Sequence, residues 1–299
     1  MKRHATILLA GLLFAAAPAL AGTPVNVTRA VDADATIQVN NLAGTVKVLG
    51  WGKNSVHVTG HLGSNDLHLK VNGDKKSLTI RVVYPQGHHH YSDHEGNELT
   101  VRVPRGATMQ VETVSAAITA SGLTGTQRLQ TVSGDIDLDS KSPEIDAKTV
   151  SGDIAVKGSA PDAHVEMHTV SGSARASNIG GELVQETVSG DVSVERSRLR
   201  RATLSATSGT VKYAAPIEAK GNYRFHVVSG DIDLDLPGKP DAEFDINTFS
   251  GSIRNSFGPK PQKTSEYAPG LELHFTHGKG EAYVKANSMS GDIVLKAGG

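Results

Sequence analysis

Cysteine is absent from all 299 residues. No disulfide can staple the chain, and no acyl group can be carried on an N-terminal Cys. In an oxidising compartment its stability would have to come from packing and hydrogen bonds alone. Aromatic residues are scarce, at 4%, and Trp51 is the single tryptophan. Neither sign of charge is in excess: the formal net charge is −1, and −3 once Lys2 and Arg3 are removed. That balance argues against a nucleic-acid partner, which calls for a basic excess. Beyond residue 21 there is no long apolar run, so no later segment reads as a transmembrane anchor.

The first residues carry a different signal. Lys2, Arg3 and His4 form a basic stretch, Ile7 to Ala17 is apolar but too short to span a bilayer, and Ala19-Leu20-Ala21 is a small-x-small cleavage site. The three features in this order predict a signal peptide over 1–21 and a mature chain that starts at Gly22 and is exported to the periplasm or cell surface. An uncleaved N-terminal anchor is the alternative.

What the sequence has in abundance is glycine, 32 residues, and a repeated phrase rich in Thr, Val and Ser. Thr131-Val132-Ser133-Gly134-Asp135-Ile136 recurs as Thr149 to Ile154, Thr169 to Ala174 and Thr187 to Val192. Looser copies centre on Ser208-Gly209, Ser229-Gly230, Ser250-Gly251 and Ser290-Gly291, and a degenerate copy on Ser115-Ala116. Serine to serine, the steps are 18, 18, 20, 18, 19, 21, 21 and 40. A period near 19 holds two short strands and two turns, a unit too small to bury its own apolar face, so copies must stack. Within a copy, Val132, Gly134, Ile136 and Leu138 share one parity, and Thr131, Ser133, Asp135 and Asp137 the other. That is the two-residue period of a strand with one buried face, and it places Val, Gly and Ile in the core and Thr, Ser and Asp on one outward face.

The expected fold is therefore all-β: a β-solenoid or rolled β-sandwich of about nine coils of 18–21 residues, on the order of 40 Å long at one strand spacing per coil. Residues 22–110 alternate without the phrase and are expected to form an N-terminal β-hairpin cap region, followed by solenoid repeats over 111–299. The two apolar stretches Leu271 to Phe275 and Glu281 to Ala286 flank His277-Gly278-Lys279-Gly280 and predict a hairpin in the last coil. The long final step of 40 would then be two fused periods or one period with an inserted hairpin.

At Leu42 to Val48, at Leu99 to Pro104 and in the run of Thr-Val-Ser-Gly-Asp-Ile copies, the chain resembles the bacterial putative-adhesin family of β-strand repeats, a domain of unknown function. The likeness covers nearly all of the mature chain. It implies an exported β-solenoid-like protein and brings no catalytic residues or cofactor with it. Positions 173, 210 and 252 depart from Asp in the phrase.

Four groups of residues are candidates for function. Asp135, Asp153, Asp191, Asp231 and Asp292 would form an exposed ladder if the coils stack in register. Such a ladder either holds a hard cation such as Ca²⁺ or accepts local turn and backbone hydrogen bonds. His88, His89, His90, Asp93 and His94 could ligate Zn²⁺, Cu²⁺ or Ni²⁺, or form a solvated loop. Arg196, Arg198, Arg200 and Arg201 could meet anionic lipid or polysaccharide, or form a charged turn. Trp51 could pack at one end of the stack or make a contact spot. There is no Gly-x-Ser-x-Gly elbow, no cysteine nucleophile and no phosphate-binding glycine loop. The reading is a non-catalytic structural or binding protein of the envelope whose partner is a protein, a surface polymer or a second copy of itself. The alternatives are a polysaccharide-acting enzyme and a periplasmic metal or stress sensor using the His-rich loop. Intact-mass analysis of the protein from its native host should show a chain beginning at Gly22; a chain that retains Met1 to Ala21 would refute the cleavage assignment.

Overall fold

The computed structural model describes residues 22–85, 96–265 and 269–298. The expected signal peptide and the His88–His94 cluster lie outside these residues. Among the described residues the regular secondary structure is entirely β, as expected of a sequence dominated by Val, Ile and Thr in alternation.

The repeats form rungs, each built from a long strand, a corner and a short strand. In the rung that carries the first full copy of the phrase, these strands are Gln127–Ser133 and Ile136–Asp139. The next rung is Glu144–Ser151 followed by Ile154–Lys157, which lies parallel to the first in both halves. The register follows the phrase itself: Ser133 aligns with Ser151, Ser171, Ser189, Ser208 and Ser229 in turn. Long strands make one sheet and short strands a second, and the two inner faces share one continuous core. Ile145, Ala147, Ile154 and Val156 supply that core in one rung, and Val165, Met167, Ala174 and Ala176 in the next.

Parity does not run unbroken through the phrase. Thr131, Thr149, Thr169 and Thr187 are buried, whereas Val132, Val150, Val170 and Val188 stand outside. The strand before the corner buries Leu129 and Thr131, and the strand after it buries Ile136 and Leu138. Ser133 and Gly134 make the bend between two sheets, and the inward face changes parity across it. The expectation that Val and Gly build the core is therefore corrected. Thr and Ile are inside, Val, Ser and Asp are outside, and Gly forms the corner.

The C-terminal expectation is also corrected. Leu271–His277 and Ala282–Ser290 do not pair with each other, because Ala242–Ser250 lies between them, antiparallel to the former and parallel to the latter. The last copy of the phrase inserts between the Asn222–Ser229 rung and the Ala242–Ser250 rung. The 40-residue step is thus a departure from the stack and a re-entry one position back. Leu271–His277, placed antiparallel on the outer edge, covers a strand that would otherwise offer free backbone groups to another chain. Phe244, Phe257 and Phe275 hold it there, with ring centroids 4.7 to 5.8 Å apart. Asp245 ties the three strands together, receiving His274 Nδ1 at 3.2 Å, Lys285 Nζ at 3.2 Å and the Tyr283 hydroxyl at 3.1 Å. Burial opposes its charge, but Lys285 and the Asn247 and Tyr283 donors hold the carboxyl below the usual carboxylate range.

At the N-terminal end, Thr36–Trp51 is itself a rung, parallel to Thr108–Ser121 from Thr36↔Thr108 to Leu49↔Ser121. Ser77–Val83 and Asn97–Pro104 lie parallel to its two halves. Antiparallel strands then finish each sheet: His68–Gly73 on the first, Ser55–Leu62 and then Thr23–Ala30 on the second. Residue 110 falls inside Thr108–Ser121, and the core crosses it without a break.

The corner needs glycine for two reasons at once. Gly190 has φ +142°, a conformation that L side chains rarely adopt, and a Cβ there would overlap the carbonyl oxygen of Gly172, far inside the 3.0 Å that real Cβ atoms keep. Since the obstacle is backbone of the neighbouring rung, it cannot move aside. Gly190→Ala should lower stability by ~2–4 kcal/mol. Ser193→Ala, on the outer face of the adjacent short strand, should stay within about 0.5 kcal/mol of wild type. Urea melts of the two variants check this, and equal midpoints would contradict the corner assignment.

Candidate functional site: the outward corner

Each residue of the phrase has a separate task at the corner. The buried Thr side chain donates to the carbonyl of the rung before it: Thr149 Oγ1 to Gly134 at 3.2 Å, Thr169 to Gly152 at 3.1 Å and Thr187 to Gly172 at 3.1 Å. Thr248 and Ser288 do the same to Gly291 and Gly230, at 3.0 and 3.2 Å. A partly buried carbonyl at the bend is thereby satisfied by a side chain. Ala206 and Val227 occupy this position in two rungs and contribute only packing.

The Asp residues clasp the stack from outside. Asp135 Oδ1 accepts the backbone N–H of Asp153 at 2.9 Å, and Asp153 Oδ1 accepts that of Ser173 at 2.8 Å. Asp191 receives Thr210 N at 2.9 Å, Asp231 receives Asp292 N at 2.8 Å, and Asp292 receives Ser252 N at 2.9 Å. The series pauses after Ser173 and Thr210, which have no carboxylate to offer the next rung. The Ser173 N–H, joined by the Arg175 guanidinium at 2.8 Å, holds the Asp153 carboxyl below the usual carboxylate range. The Ser252 backbone and Arg254 do the same for Asp292. One oxygen of each Asp is engaged in holding rungs together, and among the described residues no group of three or more His, Asp or Glu could hold a metal ion.

The basic run lies at a turn and at the start of a strand. Arg196 has a left-handed backbone, φ 49°, and pairs with Glu195 at 2.9 Å. The register shifts between Gly181 and Glu182, so Arg200 is the extra residue of a bulge and both Arg200 and Arg201 point outward. Arg200 faces Asp162 at 3.4 Å and Arg201 faces Glu182 at 3.8 Å, while Arg198 is exposed at the first position of its strand. The local excess of positive charge is largely met by neighbouring carboxylates. Trp51 ends its strand half-buried, donating to Ser55 O at 2.8 Å, stacked on His57 with centroids 6.1 Å apart, and with Lys53 Nζ 5.2 Å from its ring. The His88, His89, His90, Asp93 and His94 group lies outside the described residues.

The side chains left free at the corner are the ones the sequence reading placed inside. Val114, Val132, Val150, Val170, Val188 and Val228 are 38–49% exposed and align rung on rung. The row ends in Met289 and Phe249, 60% and 59% exposed. A groove of about 600 Å³ runs beside its first rungs, between Leu42, Val114, Val132 and Val150 on one side and Arg81, Glu112 and Lys148 on the other. Beside Met289 and Phe249 lies a second groove of about 320 Å³. An exposed apolar row of this kind, interrupted only by Thr207 between Val188 and Val228, marks a contact surface, since scattered single residues would need no explanation. A sequence signal for it did exist: Phe249 and Met289 replace Val at a position where a packed core would resist so large a change in volume.

The fold defines a β-solenoid-like repeat protein with capped ends. Its residues 27–296 match the family model of Toastrack DUF4097, and the chain belongs to that family, a domain of unknown function. Among solved structures it is similar to a putative adhesin from Bacteroides fragilis, with 11% identity over 92% of this chain and 97% of that one and a TM-score of 0.46. A putative adhesin from Parabacteroides distasonis is 11% identical over 92% and 98%, with a TM-score of 0.40. A putative cell adhesion protein from Clostridium sporogenes is 9% identical over 92% and 100%, with a TM-score of 0.29. Likeness at this level transfers neither function nor partner. No curated protein sequence matches the chain.

If the Asp clasp stabilises the stack, Asp153→Ala should cost ~0.5–1 kcal/mol at neutral pH, a hydrogen-bond value discounted for exposure. Because the folded carboxyl titrates below its ordinary value of 3.8, its contribution is complete above that pH. It is lost as pH falls through the folded value. The gap between wild-type and Asp153→Ala melts should therefore be constant from pH 7 down to about 5 and close below about 3.8. A gap that widens on acidification would contradict the assignment.

Proposed function

We propose that this protein is an exported, non-catalytic, adhesin-like component of the bacterial envelope that presents its repetitive corner to a protein or polymer partner. The observation that carries the reading is what the corner leaves free. The phrase recurs rung after rung, its Thr hydroxyls and Asp carboxylates are engaged in hydrogen bonds within the stack, and its free groups are a row of apolar side chains beside a row of serines. Repetition of that kind offers length and regularity, which suit contact with an extended surface better than the chemistry of a single point. Among the described residues, no helix is long and apolar enough to cross a membrane. On this reading the protein reaches the envelope by its leader and remains there through contact.

The test is made in the native bacterium. Fractionation should place the protein in the periplasm or at the surface. Deletion of its gene should reduce retention of cells on a host or abiotic surface by at least about fivefold, and restoring the gene should recover it. Wild-type retention by the deletion strain, or a cytoplasmic location, would refute the proposal. Turnover of an envelope polysaccharide that is abolished by Asp135→Asn would replace it with an enzymatic one.

A further inference from the structure

The apolar row has a direction, and the direction points to its occupant. At the corner, the backbone favours a β-branched residue, which accounts for the valines and for Thr207 in the same column. It does not account for Met289 and Phe249, the two largest and most exposed members, which occupy adjacent rungs at one end. At the other end the row is low and lies beside the larger groove, about 600 Å³, whose walls include Leu42, Val82 and Tyr84. One end of the row is a pair of knobs, and beside the opposite end lies a recess with apolar side chains on one wall and Arg81, Glu112 and Lys148 on the other.

Resting on the reading of the corner as a contact surface, and naming a second copy of the chain as its protein partner, we propose that this ridge joins two copies, antiparallel, about a two-fold axis. If the axis passes between the Val170 and Val188 rungs, reversing the rung order brings Met289 of each copy level with Val114 of the other and Phe249 level with Leu42. Each knob pair then lies against the recess end of the other copy's ridge, twice over, as an isologous interface requires. The same operation sets the groove-side flank of one copy against the groove-side flank of the other. Near the axis His168 then faces Glu186, and further out Lys148 faces Ser205 and Glu112 faces Asn287, so no like charges oppose in the column beside the ridge, while the next column sets Arg128 opposite Arg224. A parallel pairing would set Met289 on Met289 and leave the valine ends apart. The exposed apolar side chains amount to on the order of 600 Å² per copy; with their polar flanks they approach the ~800 Å² per partner of a stable interface.

The absence of cysteine makes the test clean. Sedimentation equilibrium of the purified protein should show a dimer. Met289→Asp and Val114→Lys should each weaken it about tenfold or more, with melting curves like wild type because both side chains are on the surface. Mixing the two variants should restore association, since the carboxylate introduced at position 289 of one copy would meet the ammonium introduced at position 114 of the other. A chain carrying Val114→Cys together with Met289→Cys should form an intermolecular disulfide, while Met289→Cys alone should not. The proposal is overturned by a protein that stays monomeric up to about 100 µM. It is also overturned by a dimer indifferent to both charge variants, by cross-linking through Met289→Cys alone, or by a monomer whose ridge binds lipid vesicles or polysaccharide instead.

Discussion

Parallel rungs can stack in register only if the backbone bends at the same place in each, and in this chain that place is the Ser-Gly corner. Gly190 sits against the carbonyl of Gly172, and Gly172 against that of Gly152, so that each corner rests directly on the backbone of the one before it. Past Ala116, which fills it in the first copy, that column has no room for a side chain and no slack for a slip in register. Everything else in the repeat follows from this approach. The Thr hydroxyl reaches the bend's carbonyl because the corner brings it within 3.0 to 3.2 Å, and the Asp carboxylate reaches the next rung's N–H because the rungs are one strand spacing apart.

The corner also separates packing from contact. By turning between two sheets it lets Thr and Ile face inward from either side while the Val between them is turned out. The hydroxyls and carboxylates that might have carried chemistry are engaged within the stack, and the apolar side chains that might have carried packing are left free. The ends are handled differently from the middle. Antiparallel strands finish both sheets at the N-terminal end, and at the C-terminal end the chain inserts its last rung behind its outermost one and covers that edge with Leu271–His277. Much of the small aromatic content is concentrated there and near Tyr213, Tyr223 and Phe225, where single large side chains fill what the repeating small ones cannot.

Strand content, stacking and the period could be read from the chain because they depend on local alternation and on spacing along it. The orientation of Val could not, although the conflict was visible. Counting parity forward from Leu129 puts Thr131 inside, and counting it backward from Leu138 puts Ile136 inside; the two counts cannot both hold across Ser133-Gly134 unless the strand bends. The identity of the Asp partners was out of reach for a different reason. Asp135 bonds a residue 18 positions away and Asp231 one 61 positions away, distances that only the rung order sets.

By itself, the sequence determined an all-β stack of about nineteen-residue repeats with one fixed register, because only one alignment superposes every glycine. Tertiary structure decided which face of each copy looks outward, which rung lies beside which at the C-terminal end, and that the free surface is an apolar ridge. Those outcomes depend on how two sheets meet at a corner and on which edge a strand joins. Neither is encoded in the alternation of a single strand, since parity specifies two faces but does not say where the inward face changes sides.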